Sequence, residues 1–445
     1  MDESEVQVLS RTLLKPSSPT PEHLRYYKLS LFDQLAPPSF IRIFLCYTSS
    51  SDDLEKSQTF NRLKKSLSDT LTKFYPFAGR ILEDGLSIDC SDQGIEYFEG
   101  EASKGLDEFL HDGLKVEILD EFVPKDLSGF DLTDRPLVSV QISMFRCGGI
   151  SIGLSVSHKI SDTSTLIQFM NGWASTSKEG ICTMISPNFT VPSIFPSRQE
   201  LGRVYPELGA SNLSIVTRRF TFKGSLISKF RNKFRETFGS RNNHHHQPSR
   251  VTVVTAVIWK ALINVSQQKH GHLRPSLLSP AMSLRGKAAL KTSENSFGNL
   301  WMPVIAHFNP EMGKLDLLDL VSILDDAVRT TAENIKKART HEIFSMATKG
   351  IKEVIDEKLN NNGLDVFTCT SWCRFPINEA DFGWGKPFKV SSLSRPYEMF
   401  TLWDSRYGDS IEALVCLNEK DMAKLNLDQD LLAFTSSSSI DIGSF

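Results

Sequence analysis

Long apolar runs are missing from this chain. The most apolar early run, Phe40 to Tyr47, carries Arg42 and is far shorter than the ~20 residues a membrane-spanning helix requires. The N-terminus reads Met1-Asp2-Glu3-Ser4-Glu5, acidic where a secretory signal needs a positive segment ahead of an apolar one. Cysteine is scarce: seven residues, at 46, 90, 147, 182, 369, 373 and 416, are an odd number spread thinly through the chain. They fit reduced core thiols better than a disulfide framework. A soluble, cytoplasmic protein with no membrane association is expected, and the Asn-x-Ser/Thr triplets at Asn188, Asn212 and Asn264 read as chance matches. Neither the phosphate-cradling G-x-x-x-x-G-K-[ST] string nor the dinucleotide G-x-G-x-x-G is present, so nucleotide hydrolysis and hydride transfer lose their usual supports.

A strong charge of either sign is also lacking. Fifty Lys and Arg against 53 Asp and Glu leave a net charge of −3, so no global basic field exists to hold nucleic acid or an anionic membrane. At 40% hydrophobic and 23% charged, the composition is that of a folded globular protein. The 445 residues, at about 150 per domain, predict two or three domains.

From Pro187 to Leu213 the periodic apolar pattern lapses and Pro187, Pro192, Pro196 and Pro206 accumulate, as in a linker. A boundary is expected there, dividing residues 1–190 from 214–445 with a crossover at 191–213. Phe238 to Pro248 reads as a surface loop within the second half, and no fixed-period repeat suggests a solenoid. Phe60, Leu63, Leu67, Leu71 and Phe74 predict an amphipathic helix over 57–74. Alternation predicts strands over 137–145 and 150–156, turned by Cys147-Gly148-Gly149. Asp162 can cap a following helix whose face is Leu166, Phe169, Met170 and Trp173. In the second half, a nearly all-apolar helix over 251–265 capped by Ser249 and an amphipathic one over 315–338 are expected, with strands over 301–308 and 411–417. The predicted class is α/β with mixed sheets, in two domains of similar size.

His158-Lys-Ile-Ser-Asp162 places an imidazole at the end of a buried strand and a carboxylate at a helix start. A general base needs such a position, since imidazole is the side chain that titrates near neutrality. On spacing alone the plainer reading is a core histidine satisfied by a carbonyl and an aspartate that only caps. Gly149-Ile-Ser151-Ile-Gly153 matches the nucleophile string of α/β-hydrolases, but a nucleophile elbow needs a sharp strand-to-helix turn, and the alternation runs straight through Ser151. It reads as a decoy. His244-His245-His246 are consecutive in a polar loop and do not converge as metal ligands do; Cys369 and Cys373 lack a second ligand pair at zinc spacing. No metal is expected. Asp381-Phe-Gly-Trp-Gly385 reads as a tight structural loop whose aspartate needs a cationic or backbone partner, for which an arginine is expected.

Taken together, HxxxD at 158–162 and DFGWG at 381–385 resemble the signatures of the plant BAHD acyltransferases. The likeness runs along nearly the whole chain: Leu29-Ser-Leu-Phe-Asp33, Tyr75-Pro-Phe-Ala-Gly-Arg80, Ser283-Leu-Arg-Gly286 and Ser296-Phe-Gly-Asn299 resemble further family strings. Pro16-Ser-Ser-Pro-Thr-Pro21 and Ser371-Trp-Cys-Arg374 are similar to those of its alkaloid acetyltransferases. Thr163 departs from the glycine that many members carry there. The resemblance implies two chloramphenicol-acetyltransferase-like domains with a solvent channel between them, acyl-CoA entering from one face and the acceptor from the other. It implies His158 as general base, Asp162 as a catalytic-site residue that orients the site by pairing with Arg285, and Asp381 as a loop former that the family often counts as catalytic. The activity implied is transfer of an acyl group, acetyl first, from acyl-CoA to a hydroxyl of an alkaloid or similar plant metabolite. The co-substrate is then acetyl-CoA with no permanently bound cofactor, the partners are that thioester and a small acceptor alcohol, and the protein is a monomer. Longer or aromatic acyl groups, N-acylation, and a non-catalytic metabolite-binding member are the alternatives.

Overall fold

The computed structural model describes residues 5–48, 56–111, 116–125, 133, 135–202, 204–205, 214–239, 247–287, 292–311, 313–360, 363–406 and 408–435. His244, His245 and His246, Asn212, and the end of the expected crossover at 206–213 lie outside these residues. Two mixed sheets carry the fold. The first runs in the order Val6–Leu14, Ile95–Ala102, Val138–Met144, Ile150–Ser157, Phe40–Tyr47, Lys389–Ser392. Its inner strand Phe40–Tyr47 is buried at every residue, which explains an apolar run with no alternation. The strands 138–144 and 150–157 pair antiparallel, and Gly148 adopts the left-handed φ of +86° that the turn between them requires.

Two helices cover this sheet. Lys56–Lys73 turns Leu63, Leu67 and Leu71 inward, and Thr163–Glu179 does so with Leu166, Phe169, Met170 and Trp173. Each such buried side chain contributes about 1.5–3 kcal/mol. The Trp173 indole also donates to Leu63 O at 3.2 Å and Ser66 Oγ at 3.1 Å, which ties the two helices together.

The second sheet has the order Trp301–Pro303, Ser276–Ser283, Asp365–Ser371, Met399–Asp404, Ile411–Asn418, Ile215–Phe222. Arg250–His270, capped by Ser249 through the Thr252 amide, buries an apolar surface beneath it. The amphipathic helix spans Leu317–Lys337. The strand expected over 301–308 is instead two pieces, Trp301–Pro303 and Ala306–Phe308, both antiparallel to Ser276–Ser283 in one continuous register. In the gap Val304 donates to Pro280 O at 2.8 Å, and Pro280, having no N–H, cannot return the second bond of that pair.

The second half also contributes to the first sheet and its core. Strand Lys389–Ser392, from the second half, completes the first sheet by pairing antiparallel with Ile43–Cys46, and Trp372, Ile377, Ala380 and Phe382 join the first core. The described start of the proline-rich stretch is tacked down: Asn188 donates to Asn295 O and accepts from the Phe297 amide, and Leu31 donates to Phe195 O. Prolines remove donors, but their carbonyls and neighbours still bond. Among the described residues no helix is long and apolar enough to cross a membrane.

Candidate active site

His158 follows the strand Ile150–Ser157, and its amide donates to Ser39 O at 2.8 Å. The imidazole opens onto a cavity of about 1310 Å³ whose wall also includes Asp162, Arg285, Trp301, Trp372 and Arg395. Nδ1 lies 3.0 Å from Asn299 Oδ1. The other end of the Asn299 amide is committed, because Nδ2 donates to His158 O at 2.7 Å and to Asp33 Oδ1 at 2.9 Å. The atom facing the ring is therefore the oxygen, which only accepts, so Nδ1 carries the proton and Nε2 keeps its lone pair. Trp301 Nε1 donates to the same oxygen at 3.3 Å. Burial pulls the imidazole down to about 4, with the Arg395 charge acting in the same direction and Asp162 and Asn299 opposing. The ring is a neutral base at pH 7.

Asp33 sits beneath this arrangement. It closes a capping box with Ser30 on the helix Leu31–Gln34, and its Oδ1 also accepts from the Asn299 amide at 2.7 Å. Burial raises the Asp33 carboxyl against the pull of these bonds. Gly298 is required where it stands: φ is +98°, and a Cβ there would meet both Asp33 carboxylate oxygens at 3.1 and 3.2 Å.

Asp162 combines two roles. Oδ1 caps the helix Thr163–Glu179 by accepting from the Thr165 amide at 3.0 Å. Oδ2 accepts from Arg285 Nη1 at 2.5 Å and from the Leu300 amide at 3.0 Å. Arg285 in turn donates to Gly298 O at 2.8 Å and to Ser296 O at 3.0 Å from Nη2. The pairing and the cap are both as expected, and together they clamp the 296–300 segment that presents Asn299. Thr163 begins the helix and lines the cavity.

The other candidates separate. Ser151 is fully buried within its strand and donates to Ser143 O, so it stands on no nucleophile elbow. Cys369 is buried and its thiol is pushed up by burial; burial likewise pushes Cys373 up to about 11. All seven cysteines are free, and no metal-holding cluster occurs among the described residues. Lys159, next to His158, turns to the Gln34 and Ala36 carbonyls at 2.8 and 3.0 Å, and burial lowers it to about 8.

Asp381 does not line the cavity. Its Oδ1 accepts from the amides of Gly383 at 2.9 Å and Gly385 at 2.8 Å, and Oδ2 pairs with Lys178 at 2.8 Å. The expected arginine partner is thus a lysine. An arginine is present in another role: the Arg62 guanidinium lies 4.5 Å from the Trp384 ring centroid. Partial burial would raise the Asp381 carboxyl, but Lys178 and the two amides outweigh it and hold it below its ordinary range. Gly383 and Gly385 have φ of +106° and +98°, and Phe382 meets Trp173 edge-on at 4.8 Å. Asp381→Ala should therefore lower the melting temperature, since each lost bond to the carboxylate is worth about 1.5–3 kcal/mol. Turnover per folded molecule should stay within about threefold, well short of the loss from removing a general base. Parallel calorimetry and kinetics check this, and a stable but inactive variant would put Asp381 in the chemistry.

Asp33 and Asn299 lie inside the family strings, where the sequence alone assigns them no task. The S-x-x-D spacing at Ser30 and Asp33 was a usable capping signal. No sequence signal pointed to Ser39 or Arg395.

The chain matches the Transferase family over residues 4–432. It is 34% identical over 439 residues to an acetyl-CoA-benzylalcohol acetyltransferase of Clarkia breweri, covering 97% of this chain and 100% of that protein. Akuammiline synthase 1 of Alstonia scholaris is 35% identical over 433 residues, covering 97% and 98%. The crystal structure of vinorine synthase superposes with a TM-score of 0.81 at 32% identity, covering 97% of this chain and 99% of that one.

Proposed function

This chain belongs to the Transferase family of BAHD acyltransferases, and on that premise we propose that it moves an acetyl group from acetyl-CoA to a hydroxyl of a plant specialised metabolite such as an alkaloid. It is an acyl-CoA-dependent O-acyltransferase, with the thioester as co-substrate. The observation that carries the reaction is the Asn299 bond to His158 Nδ1, which leaves Nε2 as an unprotonated base at the cavity. Nε2 takes the hydroxyl proton while the alcohol oxygen bonds to the thioester carbonyl carbon. Donors of the cavity wall receive the oxyanion. The C–S bond then breaks, and the imidazolium returns the proton to sulfur, releasing the ester and free CoA. Asp162 positions the base through Arg285 and the 296–300 segment, while Asp381 shapes its loop.

Two domains meeting at the cavity would admit the thioester and the alcohol along different paths. A cytoplasmic address suits seven unpaired cysteines, and the reading takes the enzyme as a monomer. Because no acyl-enzyme is formed, both substrates must be bound before chemistry begins. Free-thiol release from acetyl-CoA with pooled plant alcohols tests the activity. Initial-rate plots on the productive pair should intersect; parallel lines, or an acyl-enzyme trapped with acetyl-CoA alone, would contradict the mechanism.

A further inference from the structure

Three arginines line the cavity, and two of them have countercharges. Arg42 pairs with Asp120 at 2.9 Å and Arg285 with Asp162 at 2.5 Å. Arg395 is 6% exposed and forms no ion pair among the described residues. Its Nη1 donates to Phe40 O, and its Nε has no protein acceptor. The place of this charge is fixed, because Phe40 faces Ser157 across the sheet and Ser157 precedes His158. Its field also reaches the imidazole, which it helps to depress.

A buried guanidinium without a counterion is destabilising. One retained in the wall of a ligand cavity marks where a ligand's negative charge is to lie. The planar fork of N–H donors matches a carboxylate better than a point charge would. The phosphates of CoA are excluded as that charge, because the whole pantetheine arm separates them from the thioester that must reach His158. The anion then belongs to the reacting end of a substrate, on the His158 side of that arm.

We propose that Arg395 binds a carboxylate carried by one of the substrates, so that the enzyme takes either an alcohol that also bears an acid group or the half-acid thioester of a short dicarboxylic acid. This rests on the acyltransferase assignment and narrows its substrate class. The side chain acts as a specificity determinant.

Equilibrium calorimetry separates the two sources without requiring turnover. The probes are 4-(hydroxymethyl)benzoate against its methyl ester, and malonyl-CoA against acetyl-CoA, on the wild type, Arg395→Lys and Arg395→Gln. The wild type should bind the acid of one pair at least tenfold more tightly than its neutral partner. Arg395→Lys should keep part of that preference and Arg395→Gln should lose it. The melting temperature of Arg395→Gln should hold or rise, since an unpaired buried charge has been removed, whereas an arginine serving only the fold would lower it. An acid preference without any acyl transfer would uphold the carboxylate site and remove the enzymatic assignment. Absence of preference in both pairs, or a preference that survives Arg395→Gln, would overturn the proposal. So would an equal fall in kcat for neutral and acidic substrates with binding unmoved, which would make Arg395 an oxyanion donor.

Discussion

His158→Ala should lower kcat by roughly 10²–10⁴-fold, the usual worth of a positioned general base, while leaving the melting temperature near that of the wild type. The ring's hydrogen-bond partner, Asn299 Oδ1, still receives the Trp301 indole, so no buried acceptor is orphaned by the change. Ser151→Ala should keep full activity, because that hydroxyl serves only Ser143 O inside the sheet. The pH dependence gives a second signature. With the imidazole lowered by burial to about 4 from its ordinary 6.5, the acid limb of kcat/KM should fall well below 6.5. The native state holds this ring neutral where the unfolded chain protonates it. Its contribution to stability is therefore complete above pH 6.5 and is lost as pH falls toward 4. An acid limb at 6.5 would mean that burial does not depress the ring, and a His158→Ala enzyme with wild-type turnover would remove the imidazole from the mechanism.

The second large effect belongs to Asp162 and Arg285, whose side chains are 10% and 2% exposed. Removing either partner leaves a buried charge uncompensated, and Asp162→Ala and Arg285→Ala should each destabilise the protein by about 3–5 kcal/mol. The double variant should cost much less than the sum, because neither charge is then stranded. Activity should fall in the folded fraction as well. Asp162 holds the Leu300 amide and Arg285 holds the Ser296 and Gly298 carbonyls, so either loss loosens the segment that aims Asn299 at the imidazole. Chemical denaturation of both single variants and the double completes the cycle. Strict additivity would mean that the pair is not coupled.

Several elements of this fold were legible because one local rule sufficed. The helix after Asp162 has a cap, an apolar stripe and a buried tryptophan, and each points to the same structure. The strands around Cys147 alternate cleanly and turn on glycine. What stayed hidden depends on meetings between distant segments. Asn299 and His158 lie 141 positions apart, and Asn299 and Asp33 lie 266 apart; no spacing rule reaches across such intervals. The Asp381 loop was recognisable as a loop, yet its cation could not be read, because Lys178 comes from a helix end 203 residues earlier. Arg395 was invisible for a different reason: a missing countercharge is a property of packed surroundings and not of any string.

The strand Lys389–Ser392 gives the chain a problem of timing. On the ribosome, residues 40–47 leave the exit tunnel more than 300 positions ahead of the strand that will cover them. At about 5–20 residues per second, that interval lasts on the order of tens of seconds. Throughout it, an apolar strand, buried at every residue in the finished protein, presents an open edge able to pair with a neighbouring nascent chain. Chaperone demand should therefore be concentrated late in synthesis, and slower translation of the second half would lengthen the exposure.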